Sequence, residues 1–174
     1  MNPDSLLTQT LLATAQRENA AAELRCRALL ERAATGRQLQ TALQGELARC
    51  GLTEPGFAVM IALRAHDPRP VLRADLGLAA ELSPMRTSDA LTRLEMAGLV
   101  QRSRDEEDRR LVWLRLTPEG RDRANEALRR YVAAAVRMTE ALDDRELAAC
   151  ITIAGKLRAG ALQLSSEAFA VCTL

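Results

Sequence analysis

The stretch SPMRTSDALTRLEMAGLVQRSRDEEDRRLVWLRLTPEG, residues 83–120, changes its hydrophobic period twice, and those changes decide the fold. Ser83-Pro84 is a helix start. The serine hydroxyl can accept from backbone N–H groups that lack an intrahelical partner, and proline at the first helical position removes a donor that would have none. Thr87, Ala90, Leu91 and Leu94 then recur at helical spacing along one face, to about Ala97, and Gly98 stops the helix. The outward face carries Met85, Arg86, Ser88, Asp89, Thr92 and Arg93. From Leu99 the period is that of strand. Residues 99–104 and 110–116 are short β-prone runs bracketing a charged turn at 105–109, which predicts a hairpin with a charged tip and an apolar base. Thr117-Pro118-Glu119 repeats the cap-plus-proline signal and restarts helix, to about Leu142.

Working outward, residues 5–34 read as one long helix that Asp4 or Ser5 can cap. Leu7, Leu11, Ala15, Ala22, Cys26, Leu29 and Leu30 recur along it. Thirty residues span about 45 Å, longer than a small domain's own core uses, so such a helix needs a partner along its length. Gly36 is expected to separate it from a second helix over 37–50, with Leu39, Leu43 and Leu47 on one face and Gly51 where a left-handed cap belongs. Thr53-Glu54-Pro55 opens a third helix carrying Phe57, Met60, Ile61 and Leu63, which the two prolines of 67–70 end. A short helix over 72–80 precedes Ser83. Asp143 caps a last one over 144–164, and the final ten residues carry no clear signal. Two helices joined by a tight turn and followed by a hairpin form a winged helix–turn–helix. In that arrangement the second helix fits the roughly 12 Å major groove and the hairpin tip reaches adjacent phosphates or the minor groove.

Composition narrows the function. The 174 residues carry 24 basic and 23 acidic side chains and are 48% hydrophobic, which is globular rather than disordered. Near-zero net charge argues against bulk attraction to a polyanion, so any nucleic-acid footprint must be local. Between residues 72 and 116 eight arginines face eight acids, so the lobe is neutral as a whole. Phe57, Trp113, Tyr131 and Phe169 are too few aromatics for a base-stacking, single-strand-binding module. Cysteines 26, 50, 150 and 172 have no close spacing and the chain has one histidine, His66, so neither a metal nor another cofactor is expected. No phosphate-binding glycine loop, nucleophile elbow or metalloprotease motif occurs, and no nucleophile–base pair is visible, so an enzyme is not expected. The N-terminus lacks the basic region of a secretory signal, and no apolar run approaches the 18 or so residues of a membrane span. The reading is therefore a soluble cytoplasmic protein with no membrane partner.

Three segments carry a family resemblance: Leu94-Glu95-Met96-Ala97-Gly98-Leu99-Val100-Gln101-Arg102, Asp105-Glu106-Glu107-Asp108-Arg109-Arg110 and Leu116-Thr117-Pro118-Glu119-Gly120. In order and spacing they resemble the MarR family of bacterial transcriptional regulators: the end of its recognition helix, its wing with an Asp-x-Arg element, and its Leu-Thr-x-x-Gly helix start. Each alone is unspecific; the set is not. The resemblance is strong over about 72–120, looser over 37–65 and 117–164, and positional at the N-terminus. It implies a mainly α protein with a small β-hairpin wing. A winged helix–turn–helix DNA-binding domain (53–116) would lie between dimerisation segments (1–52 and 117–174) whose helices intertwine in a homodimer. Such a dimer would bind a double-stranded, pseudo-palindromic operator with half-sites about 10 bp apart and would act as a repressor, released by a small-molecule effector.

Residue roles follow from the outward faces and the resemblance. Arg86 is the best base reader. Ser83, Ser88 and Thr92 can donate to phosphates, Met85 lies beside them, and Arg93 is placed for backbone contact. Arg104, Arg109 and Arg110 lie near the wing tip. The resemblance implies that Asp108 and Arg110 brace the wing while Arg109 enters the minor groove, although the two arginines could exchange roles. Asp89 departs from the basic or neutral residue common in the family, and Glu81 replaces the usual small turn residue. An anionic, often phenolic, effector would sit against Cys26, Leu43, Phe57 and Met60, which read equally well as plain core. Urate is disfavoured because the first helix has no Trp. Two alternatives stay open: a redox switch at Cys26, and a dimeric helical interaction protein that has lost operator binding.

Overall fold

A computed structural model describes the backbone of residues 5–171 and the side chains of residues 5–165. The chain divides into two compact units, residues 1–134 and 135–174.

In the first unit, Ser5 caps α1 (Leu6–Glu18), accepting from the Thr8 N–H at 3.2 Å; Asp4 lies outside the described residues. The break expected at Gly36 falls instead at Asn19. That residue is extended (φ −175°, ψ 165°), and its side-chain oxygen accepts the Ala22 N–H at 2.8 Å to start α2 (Ala20–Arg49). The correction has a simple cause. Asparagine gains a cap bond where it leaves the helix, whereas an interior glycine costs only about 1 kcal/mol and the helix runs through it. At the other end of α2, Gly51 (φ 69°) donates to Ala48 and Leu52 donates to Leu47 at 3.0 Å, a Schellman motif closed by the buried Leu47 and Leu52. Thr53 caps α3 (Glu54–His66), with Pro55 in its first turn.

The hairpin is part of a larger sheet than the sequence predicts. β1 (Val71–Leu72) pairs antiparallel with β3 (Val112–Leu116), which pairs antiparallel with β2 (Val100–Arg104), giving the order β1-β3-β2. Val71 faces Leu114, and Ser103 faces Trp113. A two-residue strand has no period to detect, so the pattern absorbed Leu72 into the following helix, which is α4 (Arg73–Ala79). α5 (Pro84–Met96) follows the turn and ends at Gly98 (φ 69°), where Leu99 donates to Leu94 and Gly98 to Glu95, both at 3.0 Å. Thr117 then locks the start of α6 (Pro118–Thr139): its hydroxyl donates to the Gly98 carbonyl at 2.8 Å and accepts the Gly120 N–H at 3.0 Å. Any side chain at Gly120 would collide with the Leu99 carbonyl, which explains the glycine three residues after Thr117. Leu47, Met60, Leu76, Leu114 and Leu116 are the largest fully buried side chains, so the core joins the end of α2 to α3, α4 and the sheet.

The second unit takes the end of α6, which stops at Thr139, short of the expected Leu142. Asp143 and Glu146 cap each other's backbone N–H groups at 2.8 and 2.9 Å, starting α7 (Asp144–Val171). α7 passes the expected end at 164 and enters the stretch that carried no signal; Cys172 lies outside the described residues. The expectation about membrane spans also needs correcting: Asp144–Ser165 is long and apolar enough, by composition, to cross a membrane. A search for an unbroken apolar run misses it because Lys156 and Arg158 interrupt the run.

Candidate nucleic-acid interface

α5 is presented by a third Schellman turn, at the end of α4. Glu81 donates to Leu78 and Leu82 donates to Gly77 at 3.0 Å, and Glu81 is left-handed (φ 53°), the only non-glycine residue so placed among those described. Ser83 then caps α5. Its oxygen faces the Arg86 N–H at 3.5 Å, and its own hydroxyl hydrogen stays available to a phosphate. Thr87 lies in the core and donates to the Ser83 carbonyl.

The two sides of α5 differ. Arg86, Asp89 and Arg93 line one groove of about 280 Å³ with Thr53 and Pro55. All three are exposed, and none has an oppositely charged group within 4.0 Å among the described residues. The guanidinium forks are thus uncommitted, and Asp89 sets a negative point between them on the helix face. Met85 is also exposed. The other side is less free than its sequence suggests. Ser88 is half-buried and accepts from Arg73 Nη2 at 3.1 Å, while Thr92 donates its proton to the Ser88 carbonyl at 3.0 Å. The Thr92 proton is thus committed within the helix, whereas Ser88, like Ser83, only accepts and keeps its hydroxyl hydrogen for a phosphate.

The wing is tied by a residue that the sequence suggested only as part of a solvated turn. Asp105 Oδ1 accepts the N–H groups of Glu107 and Asp108 at 3.0 and 3.1 Å, and Oδ2 accepts the Trp113 indole N–H at 2.9 Å. Its backbone N–H donates to Leu111. The Trp113 bond first, then the two backbone bonds, hold the Asp105 carboxyl below its ordinary value. Asp108 braces the tip through the main chain, accepting the Arg110 N–H at 2.9 Å, and makes no ion pair within 4.0 Å with the Arg110 guanidinium. The Arg110 side chain borders a cavity of about 430 Å³ with Arg73, Ser88 and Leu111, at the root of the wing. Arg104 and Arg109 are exposed.

The four side chains expected to wall an effector pocket are not together. Met60 is 0% exposed in the core. Phe57 lines a cavity of about 600 Å³ between α3, the end of α4 and α6, whereas Leu43 lines a neighbouring one of about 270 Å³ along α2. Cys26 is half-buried on α2 and lines neither. Helical periodicity gave the correct faces but not which faces enclose space. Tyr131 is the residue that the sequence reading missed: it borders both cavities and stacks on Phe57, with ring centroids 5.3 Å apart and planes at 17°. The available signal was its being the only aromatic residue of α6. The Cys50 thiol is raised by burial first and by Glu126 second, which disfavours the reactive thiolate.

Comparison with known proteins is consistent with this geometry. Residues 52–112 match the model of the MarR family. The uncharacterized HTH-type transcriptional regulator YwhA of Bacillus subtilis (strain 168) is 37% identical over 76 residues, 44% of this chain and 55% of that protein, so the match spans about half of the relative's length. AbsC, a MarR family transcriptional regulator from Streptomyces coelicolor, superimposes with a TM-score of 0.63 at 28% identity, over 81% of this chain and 97% of AbsC. The PcaV transcriptional regulator from Streptomyces coelicolor, solved in complex with its natural ligand, gives a TM-score of 0.60 at 25% identity, over 73% and 91% of the two chains. The winged lobe thus matches the MarR family model in sequence, and the fold is similar to that of MarR family regulators along most of the chain.

Proposed function

We propose that this protein is a DNA-binding transcriptional regulator, acting as a repressor, that binds a pseudo-palindromic operator as a homodimer and is released by a small molecule. MarR family regulators are transcription factors rather than enzymes. The observation that carries the reading is the pair Arg86 and Arg93, uncommitted on the exposed face of a helix delivered by a tight turn, beside a wing whose tip is internally ordered. α5 enters the major groove by its N-terminal end. Arg86 reads a guanine edge, Arg93 and the Ser83 hydroxyl hold phosphates, and Asp89 selects against a second phosphate or accepts from a cytosine amine. We assign Arg109 as the wing's minor-groove arginine; Arg110, equally exposed, also lines the cavity at the wing root.

In this reading residues 53–116 bind DNA, and the flanking 1–52 and 117–174 form the dimer. The effector enters the cavity at Phe57 and Tyr131, beside the turn that presents α5. A ligand favouring a half-site spacing other than the operator's releases DNA. That PcaV binds a natural ligand supports an effector here.

Titration of a duplex from the protein's own promoter region tests the reading. Arg86→Ala should lose about 1–3 kcal/mol of discrimination at one base pair in each half-site. Arg93→Ala should weaken all sequences alike and lower the salt slope by about 0.9 for each phosphate left without its arginine, whereas Arg109→Ala should cost most on sites with a narrow minor groove beneath the wing. Wild-type binding no tighter than to random duplex would overturn the proposal and favour a protein-interaction role.

A further inference from the structure

The cavity at Phe57 has a charge that the resemblance does not lead one to expect. The charged side chains lining its roughly 600 Å³ are Glu54 and Glu81; no arginine, lysine or histidine lines it. Most of the remaining wall is aliphatic, with the mutually stacked Phe57 and Tyr131 among the lining residues. Glu54 is held in place: its Oε2 accepts from Gln40 Nε2 at 3.1 Å and Gln44 Nε2 at 3.2 Å, and Oε1 has no hydrogen-bond partner among the described residues. Arg32 lines the neighbouring groove, which Glu54 and Tyr131 also border, and does not line this cavity. Glu81, exposed, lines the cavity from the left-handed position that follows α4.

An anionic effector here would meet two carboxylates and no cation, a like-charge arrangement that opposes binding. A cation meets the reverse: two carboxylates at the rim and aromatic faces on which a desolvated positive charge is favoured. The volume falls within the range of drug-sized ligand sites. We propose that this cavity takes a lipophilic organic cation, held by the Phe57–Tyr131 stack and the Glu54 and Glu81 carboxylates. The inference rests on the reading of this cavity as the effector site and names the ligand class.

The test uses the full chain and two probes of the same shape and opposite charge, tetraphenylphosphonium and tetraphenylborate, titrated by calorimetry without DNA. The phosphonium should bind saturably and at least about tenfold tighter than the borate. The double variant Glu54→Gln with Glu81→Gln should reduce that preference about fivefold, as expected for partly exposed charges. Tyr131→Ala should weaken both ions, with thermal unfolding reported alongside so that a folding defect is recognised. Borate binding as tight as phosphonium, an unchanged preference in the double variant, or no binding of either ion overturns the proposal. Because no DNA is present, these outcomes are separate from failure of operator binding. Release of an operator duplex by the phosphonium, absent in the double variant, connects the two.

Discussion

At Glu81 the backbone adopts a conformation that suits glycine, and the chain places a charged side chain there. A left-handed residue with a Cβ costs roughly 1–2 kcal/mol, whereas the greater freedom of glycine in the unfolded chain takes back about 0.4–1 kcal/mol. Glu81→Gly should therefore raise the unfolding free energy by about 0.5–1 kcal/mol in urea titrations, and a lower stability would show that the carboxylate makes a compensating contact. The two neighbouring helix ends with the same bond pattern, at Gly51 and Gly98, do use glycine, so the exception sits where α4 hands over to α5. A residue that gives up stability beside a cavity is the expected signature of a site selected for something else. The sequence marked Glu81 as unusual in its turn. It could not show the positive φ, because that follows from the bonds of Leu82 to Gly77 and of Glu81 to Leu78, not from residue type.

Among the elements, the wing has its order concentrated in one carboxylate. Asp105 ties both ends of the tip and the sole tryptophan of the chain, so its protonation is visible in Trp113 fluorescence. Its carboxyl is depressed below the ordinary 3.8, first by the Trp113 bond. The stabilisation it supplies is complete above that value and is lost as pH falls through the lower folded value. The Trp113 signal should accordingly titrate with a midpoint below 3.8, and Asp105→Asn should abolish that step while leaving the far-UV helix signal in place. A wild-type midpoint at or above 3.8 contradicts the assigned bond. Much of this element was legible beforehand: the change from helical to alternating period at Leu99 located both long strands and the charged turn. The third strand was hidden because Val71–Leu72 is too short to alternate. The Asn19 break was hidden because apolar spacing continues on both sides of it, and Tyr131 because stacking depends on which helices meet. The exposed arginines of α5 were found from its periodicity; the bonds of Ser88 and Thr92 within the lobe depend on Arg73 and on the helix's own carbonyls, which periodicity ignores.

For the whole molecule, what stays uncovered in a single chain is apolar surface. In the first unit Leu6 is 79% and Leu24 68% exposed; in the second, Ile151 is 75% and Leu162 67% exposed. Long helices carrying such side chains need cover, since each fully buried leucine or isoleucine is worth about 1.5–3 kcal/mol. Two kinds of cover compete on α7. A bilayer would have to accept Lys156 and Arg158 well inside the apolar stretch, at roughly 2.5–3.5 kcal/mol each near its centre. A second copy of the chain leaves both cations free to reach water along the rim of a helical interface. The self-associated form is therefore favoured, and sedimentation of the wild type should show a dimer at micromolar concentration. Ile151→Arg combined with Leu162→Arg should shift it to monomer with the winged lobe still folded, as judged by Trp113 fluorescence. Operator affinity should then fall by about 100-fold or more, because the two half-sites no longer share one ligand, while binding to an isolated half-site stays within about twofold. A wild-type monomer, or a charged variant that remains dimeric and binds the full operator unchanged, would remove α7 from the interface and with it the two-fold reading of DNA.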